Sequence, residues 1–543
     1  MRTLLPKRPI TKKPVLKHTL LKKMILLAVL TAVLGGFLVR FMPVTDAFAA
    51  EKYDPEKMLK EGFAVLEITL NGFHEEDIHR SAWLPISYRL RWDGREIENT
   101  AQIKGRGNYT WEQAKRPYAI KCDKKTNWFG FGAAKDWVLL ANFTDQTHLR
   151  NYLAYSLAAK MRFRFTPQAA FAQVFINGRY NGIYLVTEKV EIDDERLDIS
   201  ITGGDVLIEL DNNYGWNEPV TFASPFGNLY VFKDPDEEKQ KQKLEEADGE
   251  GVTFSRAISN AQSHIKRFED AVTTDRDLDT VFKYMDRDSL IDWLIFNEIV
   301  KNDDTVFNSS IYLYNKMGDK LYMGPVWDYD LAMGGIDRYN NVYTDGLQFL
   351  DNPWDRPNWF LKLLNRDDFN GLVKERWSEI YASGILGDWV AELDRMAKIL
   401  PAAVQYDVKK WDNAGVFVLR ESYNEGIQNL RDFVTGRIEW LNSVWNVTGA
   451  TPGPTSEPTP TPTPGPTPDP TATPANTPEP TPSRLPPGYV PVPPTAEPAE
   501  KPSGNRGCGS GLGLPAAAAV CGGSAAASLA AASLRKSKKI KRV

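Results

Sequence analysis

Residues 297–335 read NEIVKNDDTVFNSSIYLYNKMGDKLYMGPVWDYDLAMGG. An apolar helix end (Asn297–Val300) gives way to an acidic loop. A strand at Ile311–Tyr314 follows, then a Gly318-Asp319 turn and a second strand that runs into Trp327-Asp328-Tyr329-Asp330. A hairpin returns the chain to where it began, so Asp303/Asp304 and Asp328/Asp330 are expected at one end of a small sheet. Carboxylates gathered beside Asn308 suit a hard divalent cation, and Mg2+ takes one or two of them plus phosphate oxygens. The plainer alternative is a charged loop capping a helix, with Asp328 in an ordinary turn. Against it, acids among Trp327, Tyr329 and Pro325 lose hydration unless a cation or donor satisfies them.

Outward from this hairpin, strand-like alternation marks residues 64–70 and 86–92, with further strands predicted at 100–104, 117–122 and 136–141. Residues 146–161 carry a helical pattern. Asn177-Gly178 between two apolar runs, Gln173–Ile176 and Gly182–Val186, is a type I′ hairpin signal. Another strand is expected at 204–210, and residues 235–300 and 358–445 become helical. Strands first and helices later predict an α+β architecture with a smaller sheet-rich lobe. The 42% apolar content and 15 Trp supply a true core.

The formal charge of −4 conceals an asymmetry. Setting aside the net +8 of residues 1–49 and the +6 of residues 535–543 leaves a body of net −18. An acidic body argues against nucleic acid as a partner, because binding a phosphate backbone needs a basic footprint. Residues 1–49 have the basic, apolar and small-residue parts of a secretory signal, ending at Ala47-Phe48-Ala49. The sixteen apolar residues from Met24 to Val39 fall short of a comfortable bilayer span. Residues 50–449 are expected to be the globular domain. Residues 450–502, with runs such as TPTPTPGPTPDPTATP, read as a Pro/Thr stalk that favours extended polyproline conformation. Residues 503–543 combine Cys508, an Ala/Leu-rich stretch and RKSKKIKR, the order of a bacterial C-terminal sorting tail whose basic end stays inside. An ordinary Ala-rich tail is the alternative. Three Cys cannot build a disulfide framework.

Three further groups carry possible chemistry. In Lys104-Gly105-Arg106-Gly107-Asn108, Gly105 and Gly107 would let backbone amides approach an anion, and Arg106 could clamp phosphate oxygens. Lys121, ending an apolar strand, is placed to reach the same phosphates. A glycine turn with solvated basic side chains reads the same residues without a ligand. The apolar strand ending at Glu188 could serve a purine base, with Glu188 orienting Lys121; a core strand with a surface acid fits equally. Asp145, Arg150 and Asn151 are inward polar candidates, and Asp145 reads best as a helix cap. The five His show no zinc spacing, no GxSxG elbow occurs in the body, and Cys122 reads as a small buried hydrophobe. Paired carboxylates leave a glycoside hydrolase open.

Together, KGRGNYTW (104–111), KRPYAIKCDKK (115–125), WVLLANFTDQTHLRN (137–151), VFINGRYNGIYLVTEKV (174–190), NEIVKNDD and GPVWDYDLAMGG resemble the CotH (spore coat protein H) family over roughly residues 60–445. The resemblance implies an atypical protein-kinase-like fold with two lobes, sheet-rich then helical, and ATP- and Mg2+-dependent phosphorylation of Ser/Thr hydroxyls on proteins. By motif, the catalytic acid is Asp304, with Asp303 the alternative if the count runs back from Asn308 by kinase loop spacing. Asp328 becomes the metal ligand, with Asp330 and Asn308 beside it, and Lys121 the strand lysine. The chain lacks His-Arg-Asp, a full GxGxxG and Asp-Phe-Gly. The expectation is an exported kinase at the cell surface, tethered to the membrane through its tail and acting on surface or coat proteins. A non-catalytic surface adhesin or scaffold with the same fold is the rival.

Overall fold

The computed structural model describes residues 53–336, 341–351, 354–411 and 422–445. The expected signal segment, the Pro/Thr stalk and the sorting tail lie outside these residues. After a short helix α1 (Pro55–Lys60), seven strands form the first sheet: β1 (Ala64–Leu70), β2 (Leu84–Trp92), β3 (Arg95–Gly105), β4 (Tyr118–Asn127), β5 (Ala133–Leu140), β6 (Ala169–Ile176) and β7 (Arg179–Glu188). Their order is β1-β2-β3-β4-β5-β7-β6, and parallel pairing of β1 with β6 closes the sheet into a barrel. Side chains alternate across each strand. In β4, Tyr118, Ile120 and Cys122 face the barrel interior while Lys121 and Asp123 are exposed. Inside, Trp128 and Trp137 stack at 5.2 Å.

The predicted β6–β7 hairpin forms, with positive φ at both Asn177 (48°) and Gly178 (74°) as a type I′ turn requires. Its tip also fastens the closure. The Asn177 amide donates to the Ile68 carbonyl (2.8 Å), and the Asn177 side-chain oxygen accepts from the Leu70 amide (2.8 Å). The helix expected over 146–161 is the shorter α2 (Arg150–Ala158), with Leu149 at its N-cap position and Asp145 in the turn before it. The Asp145 carboxylate accepts from the Arg150 amide (2.8 Å) and the Thr147 amide (3.0 Å).

A second, antiparallel sheet has the order β12-β11-β8-β10-β9, from β8 (Val206–Leu210), β9 (Thr221–Ala223), β10 (Leu229–Asp234), β11 (Ile311–Asn315) and β12 (Leu321–Met323). Helices α3 (Glu237–Glu246), α4 (Phe254–Thr273), α5 (Leu278–Val281) and α6 (Arg287–Val300) separate β10 from β11. Then come α7 (Gln348–Asp351), α8 (Trp359–Leu363), α9 (Asp367–Ala382), α10 (Ile385–Ile399), α11 (Pro401–Lys410) and α12 (Tyr423–Trp445). The architecture is mixed α+β, with sheet-rich and helical parts as expected, and its first sheet closes into a seven-stranded barrel that the expectation of a smaller sheet-rich lobe did not include. Closed and open sheets share the same alternation of side chains, so closure is invisible to periodicity.

Helix α6 is apolar nearly all round and buried on every side, which suits an element enclosed by others. At its C-terminal end, Glu298 pairs with Arg437 of α12 (2.7 Å), both fully buried. The Arg437 guanidinium also donates to the carbonyls of Glu298, Thr344 and Gly346. Glu298 in turn accepts from the Gln348 and Phe349 amides (3.0 and 3.2 Å). Helix α11 braces the barrel through buried Asp407, which pairs with Lys115 (2.8 Å) and accepts from the Ile183 amide (2.9 Å). His148 lies 3.4 Å away. Burial opposes the charge on Asp407, yet Lys115 and His148 hold its carboxyl down at about 2. No helix among the described residues is long and apolar enough to cross a membrane, and the tail with the expected anchor lies outside them.

Candidate active site

The loop after α6 is built from backbone turns held by hydrogen bonds both within the loop and to distant segments. Lys301, Phe307 and Ser310 all adopt positive φ. Lys301 ends α6 in the left-handed conformation, and its ammonium donates to the carbonyls of Tyr343 (2.8 Å) and Asp345 (2.7 Å). The Asp304 carbonyl accepts from the amides of Asn308 (3.1 Å) and Ser309 (2.9 Å), and its carboxylate accepts from the Asn308 side chain (3.1 Å). Asn212, just beyond β8, ties the loop to the second sheet by donating to the carbonyls of Phe307 (2.8 Å) and Asn308 (2.8 Å).

Past β12 the chain runs through buried Val326 and Trp327 to Asp328, whose φ of +68° is a conformation non-glycine residues adopt at a cost. The neighbours hold it there. Asn302 donates to the Asp328 carbonyl (2.9 Å), Asn151 accepts from the Tyr329 amide (2.7 Å), and the Tyr329 hydroxyl donates to Asn297 (3.1 Å). Thr144 donates to the Asp330 carboxylate (2.6 Å), and Arg150 to the Ala332 carbonyl (2.9 Å). The segment is therefore clamped between the loop that precedes α2 and the loop that follows α6.

The acids feel one another. Burial first, then the carboxylates of Asp330 and Asp304, push Asp328 up to about 8, with Arg106 acting in the opposite sense. Asp330 is raised to about 6, by burial and by Asp304 and Asp145, with the Thr144 hydrogen bond opposing. Asp304 thus acts on both Asp328 and Asp330, and Arg106, whose guanidinium lies 5.0 Å from the centre of the Trp327 ring, opposes the effect at Asp328. Of the two adjacent acids in the loop, Asp304 is the one turned to Asp328 and Asp330. Asp303 is buried, and the Trp354 indole donates to its carbonyl (3.1 Å).

The remaining candidates lie otherwise than the sequence suggested. Lys121 is exposed on the outer face of β4, opposite Gln102 and Asp136, whereas Glu188 shares the inner face with Trp137. Residues on opposite faces of one sheet cannot pair, so Glu188 does not orient Lys121. It bonds instead to Arg196 and to the Gln168 amide (2.8 Å). Lys121 is also about 13 Å along the strand from Arg106, four residues at the usual rise. In the glycine turn, the Gly105 amide donates to His79 (3.0 Å) and the Arg106 amide to Pro117 (3.3 Å), so neither is available to an anion. A side chain at Gly105 would occupy the space of the Trp111 ring, and Gly107 has φ of +82°. Packing and turn geometry account for both glycines.

A family model described as CotH kinase protein matches residues 103–441. The chain belongs to the CotH family. No curated protein matches it. Membership agrees with the resemblance in the sequence and suggests a kinase-like function. Within the CotH domain the sequence reading missed Thr144, Asn302 and Asn212. All three sat in quoted or adjacent runs, but a hydroxyl or amide that positions a carboxylate from another loop has no spacing signature. If Asp330 serves a kinase-like reaction, Thr144→Val is expected to slow it about tenfold or more, because the hydrogen bond that orients this carboxylate is lost. Because Thr144 lowers Asp330, the acid limb of the pH–rate profile should also move upward. An unchanged profile would show that Asp330 does not govern the rate.

Proposed function

We propose that the chain is an exported CotH-like protein kinase that transfers the γ-phosphoryl group of ATP to Ser or Thr hydroxyls of surface or coat proteins. The observation that carries this reading is the gathering of Asp304, Asp328 and Asp330 from two loops, near enough that Asp304 raises both of the others while Arg106 opposes it at Asp328. No group of three or more His, Cys, Asp or Glu among the described residues is arranged as a metal cage. Such a cage is not what Mg2+ at a phosphoryl-transfer site uses; one or two carboxylates suffice, with phosphate oxygens completing the shell. The raised carboxyl of Asp328 fits that role, since a carboxylate crowded by its own kind is relieved by a cation. Asp328 and Asp330, with Asn308, would hold the ion, which supplies charge neutralisation to the transferring group when bound.

The other steps fall to the protein. Asp304, fixed by Asn308, orients the acceptor hydroxyl and takes its proton as the oxygen attacks phosphorus and the bond to the leaving ADP breaks. Arg106 neutralises phosphate oxygens. Lys121 belongs to this mechanism only if the nucleotide extends along the outer face of β4, where half-buried Lys104 is its closer neighbour to Arg106. Calorimetry with ATP in the presence and absence of Mg2+, followed by transfer to an added Ser/Thr protein, tests the reading. Metal-dependent binding and labelled protein are expected. A chain that binds no nucleotide under either condition is a scaffold, and the kinase reading falls.

A further inference from the structure

We propose that Tyr214 and Trp216 form a docking platform for the first part of the chain's own Pro/Thr tract, residues 450–471, and present its threonines to Asp304. This rests on the kinase reading above and names an acceptor for it. Trp216 is 68% exposed and Tyr214 39%, and together they mark a surface turn between β8 and β9. The turn is rigid. The Asp211 carboxylate accepts from the amides of Asn213 (3.0 Å) and Tyr214 (2.8 Å). The amides of Asn217 and Glu218 close on the carbonyls of Tyr214 and Gly215 (3.1 Å each). Gly215 packs so closely on Leu229 and Val231 that a side chain would displace them. A fixed turn that displays an indole to solvent gains nothing for the core.

Its location gives it a use. Asn212, at the root of the turn, donates to the Phe307 and Asn308 carbonyls, so the platform is bonded to the loop that carries Asp304. Asp304 is close enough to act on the Tyr214 phenol. Exposed Tyr and Trp are the surfaces on which polyproline segments dock, because the proline rings stack flat and the extended helix is already ordered. The tract matches that chemistry, with TPTPTPGPTPDPT at 459–471 alternating proline with hydroxyl-bearing threonine. It begins five residues after the end of α12 at Trp445. Phe433 of α12 lies against Gly334 of the site, and Trp445 is twelve residues further on, about 18 Å of helix. Ten polyproline residues span about 31 Å, which is the reach open to threonines near the start of the tract. Tethering makes the encounter intramolecular, with an effective concentration near the millimolar range. The threonine oxygen attacks the γ-phosphorus, the phosphorus–oxygen bond to ADP breaks, and the hydroxyl proton passes to Asp304.

The test uses the full chain with labelled ATP and Mg2+, and peptide mapping of the product. Label is expected on threonines of 450–471, at a specific rate independent of protein concentration. Trp216→Ser should lower that label at least fivefold, whereas replacing the tract threonines by valine should abolish it and leave transfer to an added Ser/Thr protein intact. If the added protein is labelled and the tract is not, or if Trp216→Ser leaves tract label unchanged, the platform proposal is overturned and the kinase reading stands. If neither is labelled, both are overturned.

Discussion

On the kinase reading proposed above, Asp328→Asn is expected to cut phosphoryl transfer by about a thousandfold or more, since such a site works almost wholly by positioning and charge neutralisation. The same variant should gain thermal stability at pH 8 in the absence of metal. Asp328 and Asp330 both ionise above the ordinary carboxylate range in the folded chain. A raised acid favours the folded state only while protonated. Its contribution is therefore whole below about pH 4, and declines as pH rises through about 6 for Asp330 and about 8 for Asp328. The unliganded wild type should thus lose stability between about pH 4 and 8, and the Asp328→Asn substitution should remove most of the slope. Millimolar Mg2+ with ATP should stabilise the wild type more at pH 8 than at pH 5 and leave the variant nearly unmoved. Thermal melts across pH with and without Mg2+–ATP check all three statements. A variant as active as wild type would remove Asp328 from the mechanism.

The second large effect concerns stability. Arg437→Met should cost about 3–5 kcal/mol, the range found when one member of a buried ion pair is removed. Glu298 would keep its place in α6 with its charge uncompensated, and the carbonyls of Thr344 and Gly346 would lose their donor. The effect should extend to function, because Glu298 is followed within six residues by Asp304 and anchors the amides of Gln348 and Phe349. Denaturant titration measures the loss. A change below about 1 kcal/mol would mean that water or relaxation replaces the guanidinium.

The hairpin from Ile311 to Met323 and the approach of Asp304 to Asp328 were legible because both follow from local rules, strand alternation and a tight turn. The Asn177-Gly178 turn was legible for the same reason. Barrel closure was not, since it depends on pairing Ile68 with Ile176, far apart in the chain. The faces of Lys121 and Glu188 were recoverable in principle, but only once the register placing Trp137 opposite Glu188 and Asp136 opposite Lys121 is known. Gly105 misled because glycine serves packing under Trp111 as readily as it serves an anion. Thr144 escaped because its partner is 186 residues away.

Barrel closure also governs how the chain must assemble. The first strand is made early yet stays half-paired until the sixth arrives, and Lys115 has no carboxylate until residue 407 has been synthesised. Contacts of such long range form late and slowly. A nascent chain therefore waits about a hundred residues for β6 to seal its first strand, and nearly three hundred for α11 to bring Lys115 its partner.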